Sequence, residues 1–320
     1  MKGLFFEKSV KSEAQCISGD GGSRVYLLFL ISLLFFATES GMAQSQDRVP
    51  TLAERKALFN YEKTDLGIKE IGSEKRGTVT VHDITFVGIP GKNPVKAYLV
   101  VPEGSGSFAG ILWGHWLGHH TSDRNQYLDE AVDLASRGVV SLLIDAMWAE
   151  PGWYENRALE EDYENSIKQV IEMRRAMDLL MSRENVDQDR VAYVGHDYSG
   201  MYGSIAAGVE PRAKTYVFIA VTSSLTDWAF FANKPKSKVA YIRQNSVFEL
   251  TDFVSELRGS VLCQFSNTDP FIARTDGNLF FNALTVETKE RKRYDAEHFM
   301  GGDDIRADRT AWLIKELGLK

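Results

Sequence analysis

Cysteine is nearly absent from this chain: Cys16 and Cys263 are the only two in 320 residues, which excludes a disulfide-stapled fold. A surplus of positive charge is missing too. With 37 basic against 44 acidic side chains the formal net charge is -7, and the short cluster Arg291-Lys292-Arg293 is no phosphate-binding stripe, so nucleic acid is not an expected partner. No segment recurs at the roughly 20–50-residue period of solenoids and propellers, and no low-complexity tract stands out. A membrane-spanning run is lacking as well. The longest apolar stretch, Tyr26 to Ala37, is about a dozen residues, short of the roughly 20 that a spanning helix needs.

That stretch has the layout of a secretory signal. Lys8, Lys11 and Arg24 precede it, and the small residues of Gly41-Met42-Ala43 follow, so cleavage is expected near Ala43-Gln44. The mature protein would be exported, periplasmic or secreted, with no membrane partner once the signal is gone. Charges within residues 1–43 cancel, Lys2, Lys8, Lys11 and Arg24 against Glu7, Glu13, Asp20 and Glu39, so the net charge of -7 stays with the mature chain. Cys16 leaves with the signal. Cys263 lies in Val261-Leu262-Cys263-Gln264-Phe265 and is expected in the core rather than as a nucleophile.

The remaining chain is 44% apolar over its full length and can build one sizeable core. After a helical lead-in over residues 44–76, strand and helix signals alternate through 77–320, the mark of an α/β domain with a mostly parallel sheet. Gly77 to Val87 and Val95 to Val101 flank Pro90-Gly91-Lys92-Asn93 as an antiparallel hairpin. Strands are then expected at Ala109 to Trp113, Val139 to Ile144, Val191 to Val194, Thr215 to Ala220, Val261 to Phe265 and Lys292 to Tyr294, eight in all. Amphipathic stretches at Asn125 to Ser136, Tyr163 to Met181, Gly200 to Gly208, Val247 to Leu257, Gly277 to Leu284 and Ile305 to Leu317 alternate with the strands as helices. A short insert over about residues 222–257 would form a small lid. Ligands of such sheets bind beyond the carboxyl ends of the strands.

Three residues at such ends carry suitable chemistry. Val191-Ala192-Tyr193-Val194 runs straight into Gly195-His196-Asp197-Tyr198-Ser199-Gly200, a strand that ends in a sharp turn and opens a helix. Small residues must sit two before and two after the apex of such a turn; Gly195 and Ser199 do so around Asp197, whereas an apex at Ser199 would be flanked by Asp197 and Met201. Asp269 follows the strand ending at Phe265, and His298 follows the last strand. His298 is then the base that activates water and Asp269 the acid that fixes its tautomer. Asp276, Asp295, Glu297 and Asp227 compete for the acid's place, but Asp269 alone lies directly behind a buried strand. A solvated loop histidine is the plain alternative for His298.

An oxyanion-stabilising site would draw on the backbone N–H groups of Tyr198 and of Trp116 or Leu117, in the turn Gly114-His115-Trp116-Leu117-Gly118. His115, His119 and His120 share that loop without a glutamate to complete a zinc pattern, so neither metal nor cofactor is expected. His115, Trp148 and Trp228 are expected to line the substrate pocket. Trp116, Trp153 and Tyr154 add aromatic surface near its mouth, suited to an apolar or aromatic small molecule or simply to lid packing.

From residue 77 onward the chain resembles the α/β-hydrolase superfamily, in which nucleophile, acid and histidine follow one another in this order, and its compact layout is similar to the dienelactone hydrolase and acetyl-esterase-like branch. The elbow Gly195-His196-Asp197-Tyr198 is instead similar to the aspartate elbows of epoxide hydrolases and haloalkane dehalogenases. Those families carry a larger helical cap; in epoxide hydrolases cap tyrosines protonate the opening ring, and Tyr241 is the only tyrosine of the insert here. Chemistry ranks the options. A carboxylate attacking an ester makes a reactive anhydride, but on an sp3 carbon bearing a halide or an epoxide oxygen it makes a stable alkyl ester. The expected activity is therefore hydrolysis of an epoxide or alkyl halide through an alkyl-enzyme ester. A lactonase or carboxylesterase using Asp197 as base is the alternative, and a non-catalytic binding protein the second.

Overall fold

The computed structural model describes residues 48–118, 122–230 and 234–320, and one compact body spans Pro50–Lys320. The expected signal segment, Cys16, His119, His120, Phe231 and the side chain of Asp227 lie outside the described residues.

The body opens with helix α1 (Leu52–Ala57), started by a reciprocal cap in which Thr51 Oγ1 accepts the Glu54 N–H and the Glu54 carboxylate accepts the Thr51 N–H. The lead-in is not helical throughout. Residues Lys69–Arg76 form an additional strand, β1, which pairs antiparallel from Lys69↔Thr85 to Arg76↔Val79. Its sequence KEIGSEKR lacks the apolar alternation that betrays a strand, because it is a sheet edge exposed at all but its last residue.

The other strands are β2 (Val79–Phe86), β3 (Val95–Pro102), β4 (Phe108–Gly114), β5 (Val139–Ile144), β6 (Val186–His196), β7 (Thr215–Ile219), β8 (Ser260–Ser266) and β9 (Lys289–Tyr294). They form one nine-stranded sheet, one strand more than expected, in the order β1-β2-β3-β5-β4-β6-β7-β8-β9. Strands β4 to β9 run parallel, and β2 and β3 form the antiparallel hairpin. Every residue of β5, β7 and β8 is buried, as expected for strands covered on both faces. Cys263 is among them, a fully buried thiol.

The helices are α2 (Leu128–Ala135), α3 (Trp153–Asn156), α4 (Asp162–Met181), α5 (Tyr198–Val209), α6 (Lys238–Asn245), α7 (Leu250–Val254), α8 (Arg274–Ala283) and α9 (Asp303–Leu317). The insert after β7 consists of short 3-10 turns with α6 and α7, and a bridge between Ser224 and Glu249 closes its base. A second irregular segment, between β5 and α4, carries α3 and supplies most of one wall of the cleft described below.

A buried ion pair ties the C-terminal helix to α2: Arg309 Nε donates to Glu130 Oε2 at 2.8 Å and Nη2 to Oε1, with the two residues 3% and 8% exposed. Arg309→Ala strands the Glu130 carboxylate and should cost about 3–5 kcal/mol in urea unfolding, while pairing Arg309→Met with Glu130→Leu should recover most of that loss. A single variant as stable as the parent would show that the pair does not tie α9 down.

Candidate active site

The turn after β6 is built by close approach. A Cβ on Gly195 would stand 2.8 Å from the Ser199 carbonyl oxygen, and one on Gly114, in the neighbouring strand β4, would stand 2.5 Å from Ser199 Cβ. Small residues at 195 and 199 are therefore required, as the spacing predicts. Asp197 at the apex takes φ 53 and ψ -119, a left-handed conformation rare for a side chain of its kind and characteristic of strained functional turns.

The carboxylate makes no capping bond to its own helix. Instead Asp197 Oδ2 accepts the Leu117 N–H at 3.0 Å, across from the loop that follows β4. Oδ1 is buried without a hydrogen-bond partner among the described residues and faces His298 Nε2, also without one, at 3.7 Å. On its other side His298 Nδ1 donates to Asp269 Oδ2 at 2.8 Å. Asp269 Oδ1 accepts the N–H groups of Phe271 and Ile272 at 2.9 and 3.0 Å, so its turn is held rigid. The structure thus brings together all three residues singled out as catalytic, with the imidazole between the acids.

Burial alone would depress the imidazole of His298, but the carboxylates of Asp197 and Asp269 outweigh it and push the pKa up to about 9. Burial works against the Asp269 carboxylate as well, and the bonds from His298, Phe271 and Ile272 nevertheless hold it below the usual range. At neutral pH the resting site is a carboxylate, an imidazolium and a second carboxylate.

A second, neutral histidine braces the first. Burial keeps the fully enclosed His196 well below the ordinary histidine range. Its Nε2–H donates to the His298 carbonyl at 3.0 Å, and its Nδ1 accepts from Gln126 Nε2 at 2.9 Å. Gln126 Oε1 accepts the Trp116 N–H at 2.7 Å, and the Trp116 indole stacks on the His196 ring with centroids 5.5 Å apart. This corrects the expectation for Trp116: its N–H is consumed by Gln126 and is not aimed at the elbow. Leu117 supplies the donor. Tyr198 contributes the first N–H of α5, which has no acceptor within the helix, while its ring is buried against Trp148, Trp153 and Trp228.

The cleft above Asp197 has a volume of about 260 Å³. Trp148 and Trp228 line it as expected, but His115 does not. His115 is buried beneath, where desolvation lowers its pKa to about 4; Nδ1–H donates to the Trp116 carbonyl at 2.8 Å and Nε2 accepts the Ala146 N–H at 3.0 Å. It fastens the loop after β4 to the chain after β5. Tyr241 also faces elsewhere, its hydroxyl donating to Asp162 Oδ2 at 2.6 Å beside a separate, smaller cavity. Phe271, Glu150 and Glu155, unmarked by any motif, complete the lining.

No protein-family model matches the chain, and no curated protein matches it. Solved structures do. An acetyl xylan esterase from Paenibacillus sp. R4 is similar with a TM-score of 0.66 at 20% identity, over 82% of this chain and 92% of that one. Acetyl xylan esterase 1 from Thermoanaerobacterium sp. JW/SL YS485 is similar with a TM-score of 0.68 at 16% identity, over 83% and 93%. A 2,6-dihydroxy-pseudo-oxynicotine hydrolase is similar with a TM-score of 0.57 at 19% identity, over 74% and 67%. Together with the strand order, this likeness establishes the α/β-hydrolase fold.

The ion triad carries a pH signature. Because the folded pKa of about 9 lies above the 6.5 of free histidine, the triad contributes stability that is complete below pH 6.5 and lost as pH rises through about 9. NMR titration should find the His298 imidazole near that value and substantially lower in Asp197→Asn, with loss of part of the stability difference. An imidazole titrating near 6.5 in both proteins would contradict the geometry.

Proposed function

We propose that this protein is a hydrolase in which Asp197 is the nucleophile, acting on small organic molecules at an sp3 carbon that bears an epoxide oxygen or a halide. The observation that carries this reading is the bond from Leu117 N–H to Asp197 Oδ2. In a hydrolase that attacks substrate carbonyls the oxyanion donors must be available to the substrate's oxygen. Here one is already given to the elbow carboxylate, which suits a reaction whose tetrahedral intermediate forms at Asp197 itself.

Oδ1 attacks carbon, the C–X bond breaks, and its electron pair leaves with X. Water then adds to Cγ of the resulting ester, gives a proton to His298 Nε2, and leaves negative charge on Oδ2 in the bond from Leu117. Such a donor contributes about 10²–10³-fold in rate. Collapse releases the alcohol and restores the carboxylate. For an epoxide the proton balance closes within the site: the His298 imidazolium protonates the opened oxygen, becomes neutral, and recovers a proton from water. It takes the part that Tyr241, bonded to Asp162, does not play. A halide needs no proton, so His298 must first release one, which is eased once esterification removes the Asp197 charge. Asp269 holds the Nδ1–H tautomer throughout.

The esterases among the similar structures favour a second reading, hydrolysis of an ester or lactone with Asp197 as base for water. It would require Oδ2 to give up Leu117.

Single turnover in heavy-oxygen water separates the two, using styrene oxide, bromohexane and p-nitrophenyl acetate. The nucleophilic route places the label in the Asp197 carboxylate and leaves the first product unlabelled. Label in the product alone, or turnover confined to the ester, would overturn it.

A further inference from the structure

We propose that the cleft selects substrates carrying an ammonium group, with an apolar body around it. This deepens the reading of the cleft as the site of an Asp197-centred hydrolase and rests on it. Three layers of the cleft point the same way. At its floor the Oδ1 of Asp197, a residue 1% exposed, is a carboxylate oxygen without a hydrogen-bond partner among the described residues. Its walls are ring faces and edges, Trp116, Trp153, Trp228 and Phe271, and its rim adds the carboxylates of Glu150 and Glu155. No lysine or arginine occurs among the described residues that line it. The nearby guanidinium of Arg157 is committed elsewhere: it lies 4.1 Å from the Tyr154 ring centroid, pairs with Asp162, and lines the smaller neighbouring cavity.

Aromatic faces carry negative potential, and a cation enclosed by several of them loses little on leaving water. Carboxylates at floor and rim strengthen that field, and the low dielectric between indoles keeps it from being screened. The same field opposes an anion. His298 does not reverse the sign, because its positive charge already sits between Asp197 and Asp269. The site is thus complementary to an onium head of a few carbon atoms, a size that fits a volume of about 260 Å³.

Three molecules of one shape test this: choline, the uncharged 3,3-dimethylbutan-1-ol, and the anion 3,3-dimethylbutanoate. None bears a leaving group, so binding to the full chain is read without turnover, by quenching of the tryptophans of the cleft. Choline should bind about ten-fold tighter than the alcohol at low salt, the ratio narrowing as salt rises, and the anion weakest of all. The double variant Glu150→Gln, Glu155→Gln should reduce the choline-to-alcohol ratio to below about three while moving the alcohol's affinity less than about two-fold. Equal binding of choline and the alcohol, tighter binding of the anion, or a ratio that the double variant leaves unchanged would overturn the proposal. Because these probes report charge preference alone, their result is separable from the labelling result, which reports the role of Asp197.

Discussion

The hydrogen bond from Leu117 N–H to Asp197 Oδ2 decides which oxygen of the elbow carboxylate can react. It anchors one oxygen and leaves the other facing His298 at the floor of the cleft. The bond exists because β4 and β6 are neighbours in register, with Gly114 opposite Gly195, so that the loops leaving both strands meet. They can meet only because both positions are glycine; a side chain at either would collide with Ser199. Backbone strain at Asp197 is tolerated for the same reason: Ser199 Oγ donates to the His115 carbonyl at 2.6 Å and the Tyr193 hydroxyl to the Ser199 carbonyl at 2.6 Å, which pins the turn from both sides.

Charge is arranged around that anchor. Two buried carboxylates hold one imidazolium, while the adjoining His196 stays neutral and spends its ring nitrogens on positioning. Were His196 charged, it would compete for the acids and repel His298. As a neutral donor it instead bonds the His298 carbonyl and, through Gln126, the Trp116 N–H, so the catalytic histidine and the loop bearing Leu117 move as one. Asp269 is fixed independently by two backbone N–H groups, so the imidazole is oriented from both ends.

Asp197, Asp269 and His298 were legible in the sequence because each follows directly on an apolar strand and because small residues bracket the elbow. The eight expected strands are all present, since their apolar runs are long and bounded by turns. Strand β1 was hidden by its exposed, charged edge sequence. Trp116 was misread because its N–H is satisfied by a side chain ten residues on, Gln126, and nothing in local spacing reveals that partner. His115 was misread because its burial depends on the chain after β5, which closes over it only in three dimensions. Glu150, Glu155 and Phe271 reach the cleft from irregular segments without periodicity, where sequence pattern carries no direction.

The most direct measurement of the central claim is the mass of the His298→Gln protein after exposure to styrene oxide or bromohexane, followed by peptide mapping. With the water-activating base removed but the attacking carboxylate intact, the account predicts a single stable adduct on the peptide that contains Asp197, absent when Asp197→Asn is added. An unmodified protein, or an adduct on any other residue, would contradict it.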